Sequence, residues 1–158
     1  AENFWTFTYP WVFATLEGLR NEGYRMSVLS NADGRVEKSF VQLGLDGYFE
    51  RILDSHILGV EKPNSKIFEV ALSELDLQPE ETLYIGDVFY IDVWGANQMG
   101  MPAVHLDPRG LYKDWAGVHI PSVGALSEML AQKDVSDSDF MPLQGTALKY
   151  DNAWRKDA

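Results

Sequence analysis

The 158-residue sequence contains no cysteine, which excludes disulfide scaffolds, thiolate metal sites and cysteine nucleophiles. It is short of positive charge, with 13 Lys and Arg against 24 Asp and Glu and a formal charge of -11. That balance disfavours a nucleic-acid backbone or an anionic membrane as partner, because both would be repelled. A small phosphate gripped at one focused site stays open. Nowhere does the sequence hold the ~18 consecutive apolar residues that mark a membrane-spanning helix. The opening Ala1-Glu2-Asn3-Phe4-Trp5 lacks an initiator Met and the basic-then-apolar order of a secretion signal. A cytoplasmic setting is therefore expected, with the chain a processed product or a fragment. What remains is ordinary globular material, 46% hydrophobic and 23% charged, sufficient for one domain with a core.

Hydrophobic spacing divides the chain into alternating elements. Trp11, Val12, Phe13, Leu16 and Leu19 recur at intervals of three and four, which predicts a helix over 11–22. The mostly apolar stretch 24–29 predicts a buried strand that ends at Ser30-Asn31-Ala32-Asp33-Gly34. A helix over 35–43 closes at Gly44, and 51–55 is a second strand. Gly59-Val60-Glu61-Lys62-Pro63 is a loop in which Pro63 biases Lys62 towards an extended backbone. A helix over 65–75, a strand over 83–85, a helix over 91–99, a strand over 102–106 and a helix over 122–131 follow. This alternation predicts an α/β fold, a parallel sheet with helices on both faces. Residues 1–132 form that core. From 133 onward the sequence is polar and aperiodic, so 133–158 reads as a loosely docked or disordered tail, with Phe140, Leu143, Leu148, Tyr150 and Trp154 available for docking.

Three strand exits carry residues with chemical potential. Ser30-Asn31 offers a hydroxyl and backbone N–H groups able to cradle an anion. Lys62 supplies an ammonium in a constrained loop. Asp87 follows the strand at Gly86, with Asp92 five residues on, and two carboxylates there suit Mg²⁺, a hard ion that takes oxygen ligands. Each has a plainer reading alone: turn chemistry for Ser30-Asn31, a solvated side chain for Lys62, a helix N-cap for Asp87. Together, in this order, hydroxyl, ammonium and metal-binding carboxylates at one sheet edge describe a phosphoryl-transfer site.

These residues resemble motifs of the haloacid dehalogenase-like (HAD) superfamily over about residues 11–131, in the subfamily whose cap domain is inserted early. Leu19 to Asn31 is similar to the second motif, in which Ser30 would hydrogen-bond the phosphate, with Asn31 beside it. Gly59 to Pro63, approached through Tyr48-Phe49 and Ser55, is similar to the third, in which Lys62 would neutralise phosphate and nucleophile. Ile85-Gly86-Asp87 through Asp92, Gly95-Ala96 and Gly100-Met101 resembles the fourth, in which Asp87 and Asp92 would hold Mg²⁺. The resemblance implies a Rossmann-like fold and, because the family's dehalogenases lack the acidic pair, a phosphatase acting on a small phosphorylated molecule through an aspartyl-phosphate.

One motif is missing. Family members begin with an apolar strand ending in Asp-x-Asp, which carries the nucleophile, and no such pattern precedes Ser30. Cap residues are absent too, apart from a remnant at 1–10. Asp137-Ser138-Asp139 has the right letters, yet Lys133 to Ser136 is no buried strand, so the match is read as coincidence. The expectation is a chain of phosphatase ancestry that is inactive or incomplete as it stands; the alternative is a non-catalytic binding or assembly module keeping the HAD fold. By resemblance, the missing strand is the central one, between the strands ending at Ser30 and Gly86. Its empty slot would expose two unpaired edges and apolar surface. The segment 4–9, the tail 140–150 or a strand from a second copy would fill it, the last giving a homodimer by strand or segment exchange; otherwise the two edges close on one another. His56, His105 and His119 lack ligand spacing such as His-x-x-x-His and are read as structural or surface residues. The early aromatics Phe4, Trp5, Phe7, Tyr9, Trp11 and Phe13 are read as core or cap-junction residues, and Arg109 as a turn residue.

Overall fold

A computed structural model describes residues 6–131 and 137–141. The first helix, α1 (Pro10–Asn21), starts at a proline, whose fixed φ suits a first helical turn. It buries Leu16 and Leu19, three residues apart on one face. Strand β1 (Val28–Ser30) leads to α2 (Val36–Leu43), which Gly44 ends in the left-handed conformation at φ 69°. Strand β2 (Ile52–Asp54) runs directly into a short helix, α3 (Ser55–Leu58), capped by the Asp54 side chain on the His56 N–H. In α4 (Ser65–Leu75), Asn64 caps Lys66 N at 3.0 Å, and Ile67, Phe68, Ala71 and Leu72 make the buried stripe. There follow β3 (Tyr84–Gly86), α5 (Val93–Gln98), β4 (Ala103–Leu106), β5 (Val118–Ile120) and α6 (Leu126–Ala131).

All strand pairs are parallel. Strand β1 pairs with β2, Val28 opposite Ile52, and β4 lies between β3 and β5. Successive side chains of a strand point to opposite faces, and β4 shows it. Ala103 joins a core of Ile67, Phe68, Leu72, Phe89, Val93, Ala96 and Met101, whereas Val104 joins Leu19, Ile120, Leu126 and Met129. Helices α4 and α5 therefore cover one face of the sheet, and α1 and α6 the other. The expected α/β architecture, parallel with helices on both faces, is what the chain adopts.

The differences are local. Strand β5 was not expected, and α3 occupies the end of the expected strand 51–55. The helix expected over 122–131 begins as a 3-10 turn at Val123–Ala125. Residues 6–9 carry no strand, and the aromatics there are not core: Phe7, Tyr9 and Trp11 are 69%, 60% and 44% exposed. Their rings stack on one another, Tyr9 on Trp11 at 5.8 Å between centroids, because α1 turns Leu16 and Leu19 inward instead. Phe4 and Trp5 lie outside the described residues, as does most of the expected tail. Its described part, Asp137–Phe140, is a 3-10 turn whose Phe140 packs on the second core and accepts Asn97 Nδ2 at 3.0 Å on its carbonyl. Asp137-Ser138-Asp139 lies in that turn. Arg109 lies exposed in the turn closed by Gly110 N on Asp107 O at 3.1 Å. Among the described residues no helix is long and apolar enough to cross a membrane.

The two sheets share no ladder. The slot between β1 and β3 is neither closed by direct pairing nor filled by a strand among the described residues. Side chains bridge it.

Candidate functional site

The bridge is built on Lys62. Its loop enters α4 through a cis Lys62–Pro63 peptide bond, and its ammonium reaches into the slot. There Nζ donates to Leu29 O on the edge of β1 at 3.1 Å, to Tyr84 Oη at the start of β3 at 2.8 Å and to Asp92 Oδ1 at 2.7 Å. An ammonium has three donors; all three are engaged. The pair is deeply buried, with the Lys62 side chain 9% exposed and that of Asp92 3%. Burial, then the charge of Asp92, raises the Tyr84 phenol far above its ordinary range, so Tyr84 stays neutral and donates to Leu29 O at 3.3 Å. An edge carbonyl that a neighbouring strand would ordinarily satisfy is thus served by two side chains.

The loop after β1 is fixed at three points. The Asn31 side chain clasps the Lys62 backbone, Nδ2 donating to Lys62 O at 2.9 Å and Oδ1 accepting Lys62 N at 2.8 Å. Ser55 Oγ accepts Ala32 N at 3.0 Å. Buried Asp54 accepts the N–H of Gly34 at 2.9 Å and of Val36 at 3.3 Å. The Asn31 amide is therefore committed to holding Lys62, which leaves the loop's backbone N–H groups other than those of Ala32 and Gly34 as the atoms able to face an anion. Ser30, at the end of β1, has no side-chain partner among the described residues.

The acidic pair divides. Asp92, opening α5, is 2% exposed; its Oδ1 holds Lys62 and its Oδ2 accepts Val88 N at 2.9 Å. Asp87, one residue past β3, is exposed, and its carboxylate has no partner among the described residues. Gly86, just before Asp87, needs to be glycine, since a Cβ there would collide with the Asp92 carboxylate. Lys62 bonds the residue before Ser30 and the carboxylate packed on Gly86. The exits of β1 and β3 and the Lys62 loop thus gather around one slot.

Sequence reasoning did not single out Asp54 or Tyr84, and placed Ser55 only on the approach to the Lys62 loop. An Asp-Ser pair leaving a strand is a legible N-cap signal, so Asp54 was within reach. Tyr84 offered no signal, because its role follows from the gap it spans. His105 and His119, read from the sequence as structural or surface residues, lie close together. They sit opposite one another on the parallel strands β4 and β5, with Nδ1 atoms 3.0 Å apart, and burial holds the His105 imidazole below the ordinary His range.

Comparison with known proteins bears on this geometry. The family of haloacid dehalogenase-like hydrolases matches residues 6–106. The chain is 34% identical over 148 residues to a glyceraldehyde 3-phosphate phosphatase of Pyrococcus furiosus, covering 84% of the chain and 60% of that protein. It is 39% identical over 107 residues to its namesake in Methanopyrus kandleri, covering 67% and 46%. Among solved structures, an HAD phosphatase from Thermococcus onnurineus superposes with a TM-score of 0.73 at 29% identity, covering 81% of this chain and 60% of that one. A 2-haloacid dehalogenase from Pseudomonas syringae gives 0.66 at 31%, covering 79% and 54%. The chain thus spans about half to three fifths of the length of these proteins. It belongs to the haloacid dehalogenase-like hydrolase family.

Proposed function

We propose that these 158 residues supply the phosphate-gripping and cation-holding part of an HAD phosphatase, and that the attacking carboxylate comes from residues outside them. The observation that carries this reading is the placement of Lys62, bonded to both walls of the slot and to Asp92, with Ser30 and Asp87 at the flanking strand exits. A phosphate there would take hydrogen bonds from Ser30 Oγ and from the loop N–H groups not already given to Ser55 and Asp54. Lys62 would neutralise it after exchanging Leu29 O or Tyr84 Oη for a phosphate oxygen. A strand in the slot would favour that exchange, because it would satisfy Leu29 O itself.

The donors present fit Mg²⁺: Asp87 is an unengaged hard oxygen ligand at the slot's edge. Asp87 would hold the ion, which when bound supplies positive charge against the phosphate oxygens. Asp92, with both oxygens engaged, acts here through Lys62. Several curated relatives are glyceraldehyde 3-phosphate phosphatases, which supports a small phosphorylated organic molecule as the substrate class.

Calorimetric titration with Mg²⁺ tests the cation site. The expected result is saturable heat in the wild type that Asp87→Asn removes while the fold, read by circular dichroism, persists. No heat in the wild type would favour the second reading, a non-catalytic assembly module. One observation speaks for that reading: every donor of Lys62 is satisfied within the chain, and the edges of β1 and β3 lack strand partners among the described residues, so a second copy could pair there.

A further inference from the structure

We propose that His105, His119 and Asp107 form a second cation site, one for a transition metal of the zinc class, separate from the Asp87 carboxylate. The argument begins with the outer nitrogens of the two rings. His105 Nε2 faces the backbone carbonyl of Asp87 at 3.2 Å, and His119 Nε2 faces that of Trp115 at 3.2 Å. A carbonyl only accepts, so each Nε2 carries the ring proton. In the neutral rings both Nδ1 atoms are then bare lone pairs, and they point at one another across 3.0 Å. Two acceptors at that distance repel unless something positive lies between them.

An extra proton is one solution, but it places a charge on a pair of which one member is 1% exposed, and burial works against it. A metal ion is the other, and the surroundings suit it. The Asp107 carboxylate, 7% exposed, adds an oxygen, and the three groups offer ligand atoms within 4.8 Å of one another. Bonds of about 2.0–2.1 Å to zinc in a tetrahedral site imply ligand atoms roughly 3.3 Å apart, close to the observed imidazole spacing; the Asp107 carboxylate, within 4.8 Å, would move towards the rings to complete the set. The outer partners are those of a metal site. Each His donates its other N–H to a backbone carbonyl, and Asp107 is oriented by Leu111 N at 3.0 Å and Tyr112 N at 2.7 Å. Phe89 stacks on His119 at 5.9 Å and meets His105 edge-on at 5.2 Å, which keeps that side dry. Two imidazoles and one carboxylate select zinc, cobalt or nickel over Mg²⁺. The site would tie β4, β5 and the 107–112 turn together, next to the backbone of Asp87.

The test is titration of the chelator-treated full chain with Co²⁺, read by the visible absorption of tetrahedral cobalt, together with the shift of the thermal midpoint by Zn²⁺. The expected result is one-to-one saturation and a raised midpoint in the wild type and in Asp87→Asn. His119→Gln, and independently Asp107→Asn, should weaken Co²⁺ binding by about 100-fold or more, beyond the 10–100-fold that outer partners contribute. Absence of the band and midpoint shift in the folded wild type would overturn the site. So would a band that Asp107→Asn leaves intact or that Asp87→Asn abolishes.

Discussion

Asp92→Ala is expected to destabilise the chain by about 3–5 kcal/mol, the cost of leaving one charge of a buried ion pair without its partner. The Lys62 ammonium would keep Leu29 O and Tyr84 Oη, which solvate it but do not neutralise it, and Val88 N would lose its acceptor as well. Exposure decides the size. Lys66–Glu69, a pair on the surface of α4 at 3.2 Å, has side chains 65% and 47% exposed, and its loss should cost only about 0.3–0.5 kcal/mol. The double variant Lys62→Met/Asp92→Leu should recover most of the stability, because apolar replacement of both partners removes the desolvation penalty together with the attraction. Urea midpoints at unchanged m-value measure all three variants. A cost for Asp92→Ala no greater than that of the Lys66 pair would show that Asp92 does not hold Lys62 in the slot.

Turnover should be affected more heavily still. With Mg²⁺ and p-nitrophenyl phosphate, the 158-residue chain should run about 10⁴-fold or more below an intact family phosphatase, because removing a group that makes the covalent bond commonly costs that much. Each factor of ten is about 1.36 kcal/mol in the barrier, so the deficit exceeds about 5 kcal/mol. Among the described residues the groups at the slot do not make up for it. Both Asp92 oxygens are engaged, by Lys62 and by Val88 N, and the three donors of Lys62 are satisfied inside the chain. Turnover matching that of an intact phosphatase, abolished by Asp87→Ala, would refute the assignment.

The layered fold was legible because its signals are local and periodic. The three- and four-residue spacing in 65–75 is the same stripe that buries Ile67, Phe68, Ala71 and Leu72, and Gly44 ends α2 where a left-handed residue is needed. Strand β5 escaped because Val118–Ile120 is three residues long and carries a histidine in its middle, too little for periodicity. Missing it hid the His105–His119 pair. Ligand-spacing rules look for neighbours on one helix or one strand, whereas parallel register sets residues fourteen apart side by side. Ser30, Lys62, Asp87 and Asp92 could be picked out as residue types at strand exits. The division of labour between the two aspartates could not, because it depends on which carboxylate packs against Gly86 and meets Lys62. The use of Asn31 as a clasp on Lys62 is equally a product of the fold, since it joins residues from two separate loops.

The most direct test of the shared slot is a crystal structure of this chain grown with Mg²⁺ and inorganic phosphate. The phosphate should lie against Ser30 Oγ and Lys62 Nζ, the ion beside Asp87, and Lys62 should still touch Asp92. Phosphate bound elsewhere, or a slot that stays empty at saturating phosphate, would contradict the assignment of these three corners to a single site.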